Sequence, residues 1–174
     1  MERGPRGILS PRAAPFPVTL PRPRYASFGR RFVAFVLIDL PVVGVSGYAT
    51  SALLSRPLWA FLFQQGLPEP QMREAYALVL GALSYLEFWA YSALLESSAY
   101  QATLGKRALG IKVTDLSGER IGLLRAAWRG LLKTFEVVGF GYGFLAVDTS
   151  PRAQAMHDQL AGTLVLLRAE PTGE

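Results

Sequence analysis

Three acids stand where an acid is costly or conspicuous. Asp39 and Glu87 each lie inside a long apolar run, and Asp158 follows the chain's one histidine, His157. A carboxylate placed in hydrocarbon normally faces a partner, a cavity or a pathway, and it needs a proton, a cation or a base to compensate it. Two arginines, Arg30 and Arg31, precede the first run. Asp39 lies roughly 10 Å from the Arg31 end of its run, and Glu87 roughly 12 Å from the C-terminal end of the second, at 1.5 Å per residue. If the two runs are antiparallel helices, the carboxylates share a depth. Arg31, Asp39, Glu87 and Asp158 then form either a site for a proton or cation or a set of structural ion pairs; the spacing allows both. In the structural case Asp39 pairs with a basic residue and fixes helix packing.

His157 and Asp158 fit a tie better than a reaction centre. Without Cys or a second His, metal ligands are too few, so no metal or cofactor is expected. No Gly-x-Ser-x-Gly elbow exists to expose a nucleophile, and the chain is not expected to be an enzyme. Asp158 is expected to pair with Lys106, Arg107, Arg125 or Arg129. Leu104-Gly105-Lys106 fails as a phosphate loop, because Tyr100 stands where the first Gly should be and Arg107 where Ser or Thr should be. It reads as a helix end with cations at the lipid surface. Gly139-Phe140-Gly141-Tyr142-Gly143 lacks the dinucleotide spacing and suits close helix contact or a break. Arg125 and Arg129, at i and i+4, are expected on a face at the lipid head groups.

The elements that position these residues are mostly membrane helices. Phe32–Leu54 offers about 23 residues, or roughly 34 Å of helix, against a hydrocarbon core of about 30 Å. Its apolar side chains contribute roughly −4 to −7 kcal/mol to insertion against about +3 for a central Asp, so insertion survives the charge. Ala75–Leu95 is a second run worth roughly −3 to −5 kcal/mol, which one uncompensated Glu87 would almost cancel. Leu131–Val147 is a third, shorter hydrophobic segment holding Lys133 and Glu136; re-entrant, interfacial and spanning paths are all open. Leu109, Ile111 and Val113 alternate with Gly110, Lys112 and Thr114, and Asp115-Leu116-Ser117-Gly118 supplies a turn, so a β-hairpin returning through Glu119–Ile121 is expected. The β-prone Gly162–Leu167 is expected to add a strand to it. The proline-marked stretch Ser55–Glu74, with Trp59, Phe61 and Phe63, reads as a loop at the outer interface.

The chain has 174 residues, 51% of them hydrophobic and 18% charged, with a net charge of +5 and no Cys. Its basic residues flank the apolar runs rather than striping a helix with interleaved aromatics, which argues against nucleic acid and for anionic lipid head groups. Arg22, Arg24, Arg30 and Arg31 before the first run, and Lys106, Arg107 and Lys112 after the second, place the N-terminus in the cytoplasm by the positive-inside rule. The expectation is a multi-pass protein of the plasma membrane: residues 1–24 a disordered Pro/Arg-rich tail, 25–168 one membrane domain, 169–174 a short tail. The fold class is mostly α, with two transmembrane helices, the third segment and a small cytoplasmic β-hairpin.

Four ordered blocks then resemble the RDD family of small integral membrane proteins, named for one Arg and two Asp. They are Tyr25–Asp39 (YASFGRRFVAFVLID), Thr103–Gly118 (TLGKRALGIKVTDLSG), Arg125–Arg129 (RAAWR) and Gln154–Val165 (QAMHDQLAGTLV). By this resemblance the naming residues are Arg31, with Arg30 beside it, Asp39 and Asp158. It implies a membrane protein of poorly defined role, often supposed to act in transport, and no substrate. Two function classes follow. One is a transport or cation/proton-exchange component, which two or three spans could form only as a homo-oligomer or with a membrane partner. The other is a non-catalytic accessory or scaffold protein that binds lipid or a partner through its basic cytoplasmic face.

Overall fold

The computed structural model describes residues 24–138, 147 and 149–168. Residues 1–23 of the tail expected at 1–24, the tail expected at 169–174, and most of the second half of the Leu131–Val147 segment lie outside the described residues. Helix α1 (Phe28–Ala34) passes through one π-helical turn (Phe35–Asp39) into α2 (Leu40–Gln64), giving one helical rod of 37 residues from Phe28 to Gln64. A short turn, with Gly66 at φ +67°, leads to α3 (Glu69–Ser97), which packs back along α2. Both helices are long and apolar enough to cross a membrane. Only 11% of the most apolar window of each is buried, and Leu37, Val45, Leu53 and Leu78 are all at least 66% exposed. A core helix of a soluble protein would hide such side chains.

The expected loop Ser55–Glu74 is mostly helix. Chain α2 runs through Pro57 to Gln64, and α3 begins at Glu69. Proline removes one backbone donor, a loss that long apolar helices tolerate by local adjustment.

At the other end of the pair, the base, the chain builds a small mixed unit. Thr103 caps α4 (Leu104–Ala108), and β1 (Ile111–Asp115) follows. Helix α5 (Leu123–Val138) packs along α3; α6 (Met156–Ala161) lies on α5 and ends at Gly162, whose φ of +62° suits a residue without Cβ. Strand β2 (Thr163–Leu167) pairs antiparallel with β1, with Val113 opposite Val165. Tyr25 bridges to Leu166, so the residues before α1 border the sheet. Ala26, Ala34, Ala93, Ile111, Val113, Ile121, Ala126 and Val165 form the core between sheet and helices.

The expected strand from Gly162 onward is present, but the expected hairpin is not. Asp115 Oδ1 accepts from the backbone N–H groups of Ser117 and Glu119, both at 2.9 Å, and from the Ser117 hydroxyl at 2.6 Å. This side-chain turn takes the donors that a returning strand would use. The chain passes on into α5, and β2 is the strand paired with β1.

One close approach fixes the base. A Cβ on Gly105 would lie 2.1 Å from the carbonyl oxygen of Ala34 and 3.0 Å from the Asp39 carboxyl carbon. The Ala34 contact is backbone and cannot swing aside, and the Asp39 carboxylate is held in place by its own hydrogen bonds. Gly105→Ala is therefore expected to undock α4 from the π turn, read as loss of the monodisperse peak when the detergent-extracted protein is sized by chromatography. A normal peak with unchanged thermal midpoint would show that the approach is not needed.

Candidate functional site

Asp39 closes the π turn and faces the start of α4. Its Oδ1 accepts from the Tyr91 hydroxyl and the Gly105 N–H, each at 2.8 Å, and its Oδ2 accepts from the Thr103 hydroxyl at 2.7 Å. The Tyr91 oxygen in turn accepts from the Leu104 N–H at 3.0 Å. The carboxylate is 3% exposed, and all three of its donors are neutral. Asp39 thus acts as a cap supplied from another helix, satisfying orphan donors at the start of α4. Hydrogen bonds, rather than the ion pair anticipated from sequence, hold this acid.

Arg31 turns to Asp158 instead. Its Nη1 donates to Asp158 Oδ2 at 2.6 Å and its Nε to the Ala26 carbonyl at 3.0 Å, while Nη2 reaches the Ala153 carbonyl. Asp158 also caps its own helix by accepting from the Ala155 N–H at 3.2 Å. Its other oxygen accepts from Arg129 Nε at 2.8 Å, with Arg129 Nη2 2.7 Å away. Arg129 Nη1 then donates to Glu96 Oε2 at 2.5 Å. The opposite oxygen of Glu96 accepts from Lys106, and from Lys133 at 3.4 Å. One connected net therefore joins α1, α3, α4, α5 and α6.

Arg129 is not on a head-group face, as its spacing with Arg125 suggested; it is 1% exposed. Arg129, Lys133 and Glu136 lie at i, i+4 and i+7 on the inward side of α5, while Leu124, Trp128, Leu131 and Phe135 look outward. Arg125 is half exposed, 3.8 Å from Asp115. Of the other cations, Lys106 is buried on Glu96, Arg107 lies 4.0 Å over the Tyr100 ring, and Arg30 is exposed.

Glu136 accepts from the His157 backbone N–H and, at 2.8 Å, faces the ring Nδ1. The ring Nε2 faces Arg129 Nη2, a donor, at 3.4 Å. Asp158 Oδ1 lies 3.3 Å from the same Nε2; in the neutral ring the Glu136 carboxylate selects the Nδ1–H tautomer. Burial pushes the imidazole below its usual range, and Arg129 and Lys133 add to the effect against Asp158 and Glu136. Asp158, although buried, is held well below the carboxylate range by Arg129 and Arg31. Burial pushes the Lys133 ammonium down to about 7; Glu96 opposes this, and the neighbouring Lys106 and Arg129 add to it.

Glu87 stands apart from all of this. It accepts from the Ser46 hydroxyl at 3.2 Å and from the Thr50 hydroxyl. Those residues are seven and eleven positions beyond Asp39, roughly 10–16 Å further along the helix. Asp39 and Glu87 therefore do not share a depth, and the four acids and bases grouped from sequence divide into the Arg31–Asp158 pair, the capped Asp39 and the separate Glu87. Among the described residues no three His, Asp or Glu side chains converge as a metal site needs.

Sequence reasoning missed Glu96, Tyr91 and Thr103 as partners. Glu96 had one signal, as the first charged residue after the second apolar run; Tyr91 and Thr103 had none beyond a polar atom in a helix and a helix cap.

The RDD family model matches residues 25–162, which takes in Arg31, Asp39, the Arg129 net and Asp158. The uncharacterized protein YxaI of Bacillus subtilis (strain 168) is 27% identical over 152 residues, covering 82% of this chain and 97% of YxaI. No solved structure matches.

Removing Arg129 leaves two buried carboxylates short of a cation, so Arg129→Met is expected to cost about 3–5 kcal/mol, measured by denaturant unfolding in detergent. The pH dependence has two limbs. An unfolded His157 takes up its proton near 6.5 while the folded ring resists, so stability falls as pH drops below 6.5. Lys133, pushed down to about 7 from 10.5, disfavours the fold at low pH and ceases to as pH climbs from 7 toward 10.5. The thermal midpoint is expected to rise from pH 5 to pH 9; His157→Gln should flatten the lower limb and Lys133→Met the upper.

Proposed function

The chain belongs to the RDD family, and from that premise we propose that it is a proton- or cation-exchange component of the plasma membrane, with Glu87 as the acid that carries the ion. One observation supports this reading above the others: Glu87 lies within a helix long and apolar enough to span, and its hydrogen-bond partners are two hydroxyls, Ser46 and Thr50, rather than a cation. An anionic carboxylate in that setting is costly, roughly 3 kcal/mol on insertion scales, so a counter-ion that neutralises it binds favourably. Ser46 and Thr50 supply oxygen ligands suited to a hard monovalent ion or to a shared proton. Asp39 and the Arg31–Asp158 pair hold the architecture around it.

In this reading the N-terminus and the base unit face the cytoplasm, α1–α2 and α3 are the two spans, and Arg31 lies at the inner head groups. Two spans do not enclose a path, so the working form is a homo-oligomer or includes a membrane partner. No enzymatic step and no nucleic acid enters.

The accessory reading rests on a different feature. The outward face of α5 exposes Leu124, Trp128, Leu131 and Phe135; α6, which packs on α5, exposes Met156 and Leu160, and Arg120 and Arg125 are exposed cations before and within the start of α5. That pairing of apolar face and basic rim suits anionic lipid at the inner surface.

Proton or sodium flux in vesicles holding only the purified protein separates the two. Under exchange, an imposed gradient dissipates and Glu87→Gln slows it at least tenfold, while the variant reaches the membrane in normal amount. Inert wild-type vesicles would remove the exchange reading and leave the accessory one.

A further inference from the structure

The turn end of the helix pair, the tip, holds a site that the exchange reading does not use. Arg31 and Arg56 are 25 residues apart on one rod, roughly 37 Å, which sets them at opposite head-group layers of a bilayer whose hydrocarbon core is about 30 Å. Beside Arg56 is a cavity of about 530 Å³ lined by Ser55, Arg56, Trp59, Ala60, Phe63 and Tyr76. Arg56, Trp59, Ala60 and Phe63 fall at i, i+3, i+4 and i+7 on one face of α2, and Tyr76 of α3 closes the opposite wall, its ring edge-on to Trp59 at 5.6 Å.

The two cations of the tip differ. Arg73 is taken by Glu69 at 2.6 Å. Arg56 has no carboxylate or carbonyl partner among the described residues, so its planar fork of donors is available to a bidentate acceptor. The cavity is several times the size of a phosphate, and the wall beyond Arg56 is mostly aromatic. Its occupant must therefore join a tetrahedral anion to a larger body that packs on ring faces.

We infer that this cavity holds the phosphate-bearing head of a lipid in the leaflet at the tip, with the phosphate on Arg56 and the rest of the head against Trp59, Phe63 and Tyr76. The depth of Arg56 favours a lipid over a free anion, because lipid phosphates already lie in that layer. The site is separate from Glu87 and stands whether or not the protein conducts ions.

Native mass spectrometry of the full chain in detergent tests this, with phosphatidylglycerol, phosphatidylcholine and diacylglycerol as probes and inorganic phosphate as competitor. One tightly held phospholipid per chain is expected, with diacylglycerol not retained. Arg56→Gln should lower phosphatidylglycerol retention about tenfold, the loss of one charge-assisted pair, and Arg56→Lys should recover most of it. Because Arg56 makes no contact that supports the fold, both variants are expected to keep the wild-type elution profile. Trp59→Leu should weaken retention of both phospholipids. Equal retention by Arg56→Gln and wild type, equal retention of diacylglycerol, or displacement of the lipid by millimolar inorganic phosphate would each overturn the assignment, the last by showing that a free anion is the ligand.

Discussion

The structure depends on the neutralisation of buried charge around Arg129. Its guanidinium, almost wholly enclosed, bonds to Glu96 on α3 and to Asp158 on α6 while belonging to α5. A buried ion pair returns its desolvation cost only when geometry is good and the remaining lone pairs are filled. Here they are filled. Glu96 receives Lys106 and Lys133 on its other oxygen, and Asp158 receives Arg31 and the Ala155 N–H. Among the described residues no buried side-chain polar atom lacks a partner. An apolar core of the same volume could hold these elements together as strongly. The net instead allows one arrangement of donors, so α6, six residues long, has one place to sit. We offer that specificity as the reason for the net; replacing Arg129, Glu96 and Asp158 together with apolar residues and recovering a unique fold would count against it.

The second clamp uses no ion pair. Asp39 gathers Tyr91 from α3 and Thr103 and Gly105 from the start of α4, and the missing Cβ of Gly105 lets α4 reach the Ala34 carbonyl. The π turn ends on Asp39, where a local change of helical pitch resets the direction of a side chain. The two clamps are coupled through α4: Gly105 serves Asp39, and Lys106, the next residue, serves Glu96. Asp39 and Asp158 therefore do different jobs in one unit. Asp39 gathers neutral donors, two hydroxyls and one backbone N–H, whereas Asp158 organises arginines.

What could be read from sequence was what depends on composition along a line. The two apolar runs, the alternation at Leu109–Thr114 and the β-prone Thr163–Leu167 each became the expected kind of element. The pairing of Asp158 with Arg129 was among the pairings the sequence allowed. What could not be read was direction. Arg129 looked like a surface residue because i, i+4 spacing says which residues share a face but not which way the face points. Asp39 and Glu87 looked level because depth was counted from run ends, but the two helices are offset along each other: Tyr91 meets Asp39, and Glu87 meets Ser46 and Thr50. The hairpin failed because Asp115 captures its own turn, and a strand 48 residues away in sequence pairs with β1. Pro57 suggested a break that an apolar helix does not need.

Compensation of charge falls from base to tip. At the base every buried ion has an ionic or backbone partner; in the middle Glu87 has two hydroxyls; at the tip Arg56 has none among the described residues. Partners fixed by the chain make a charge useful for folding and useless for exchange, since moving an ion away from them would leave buried groups unsatisfied. Hydroxyls are weaker and rotate freely, so a carboxylate held only by them can change its proton or cation at small cost in structure. A cation with no partner has no folding role to lose. The same sequence thus separates the groups that set the fold from those free to meet something outside it, and the boundary runs between Asp39 and Glu87, not between acids and bases.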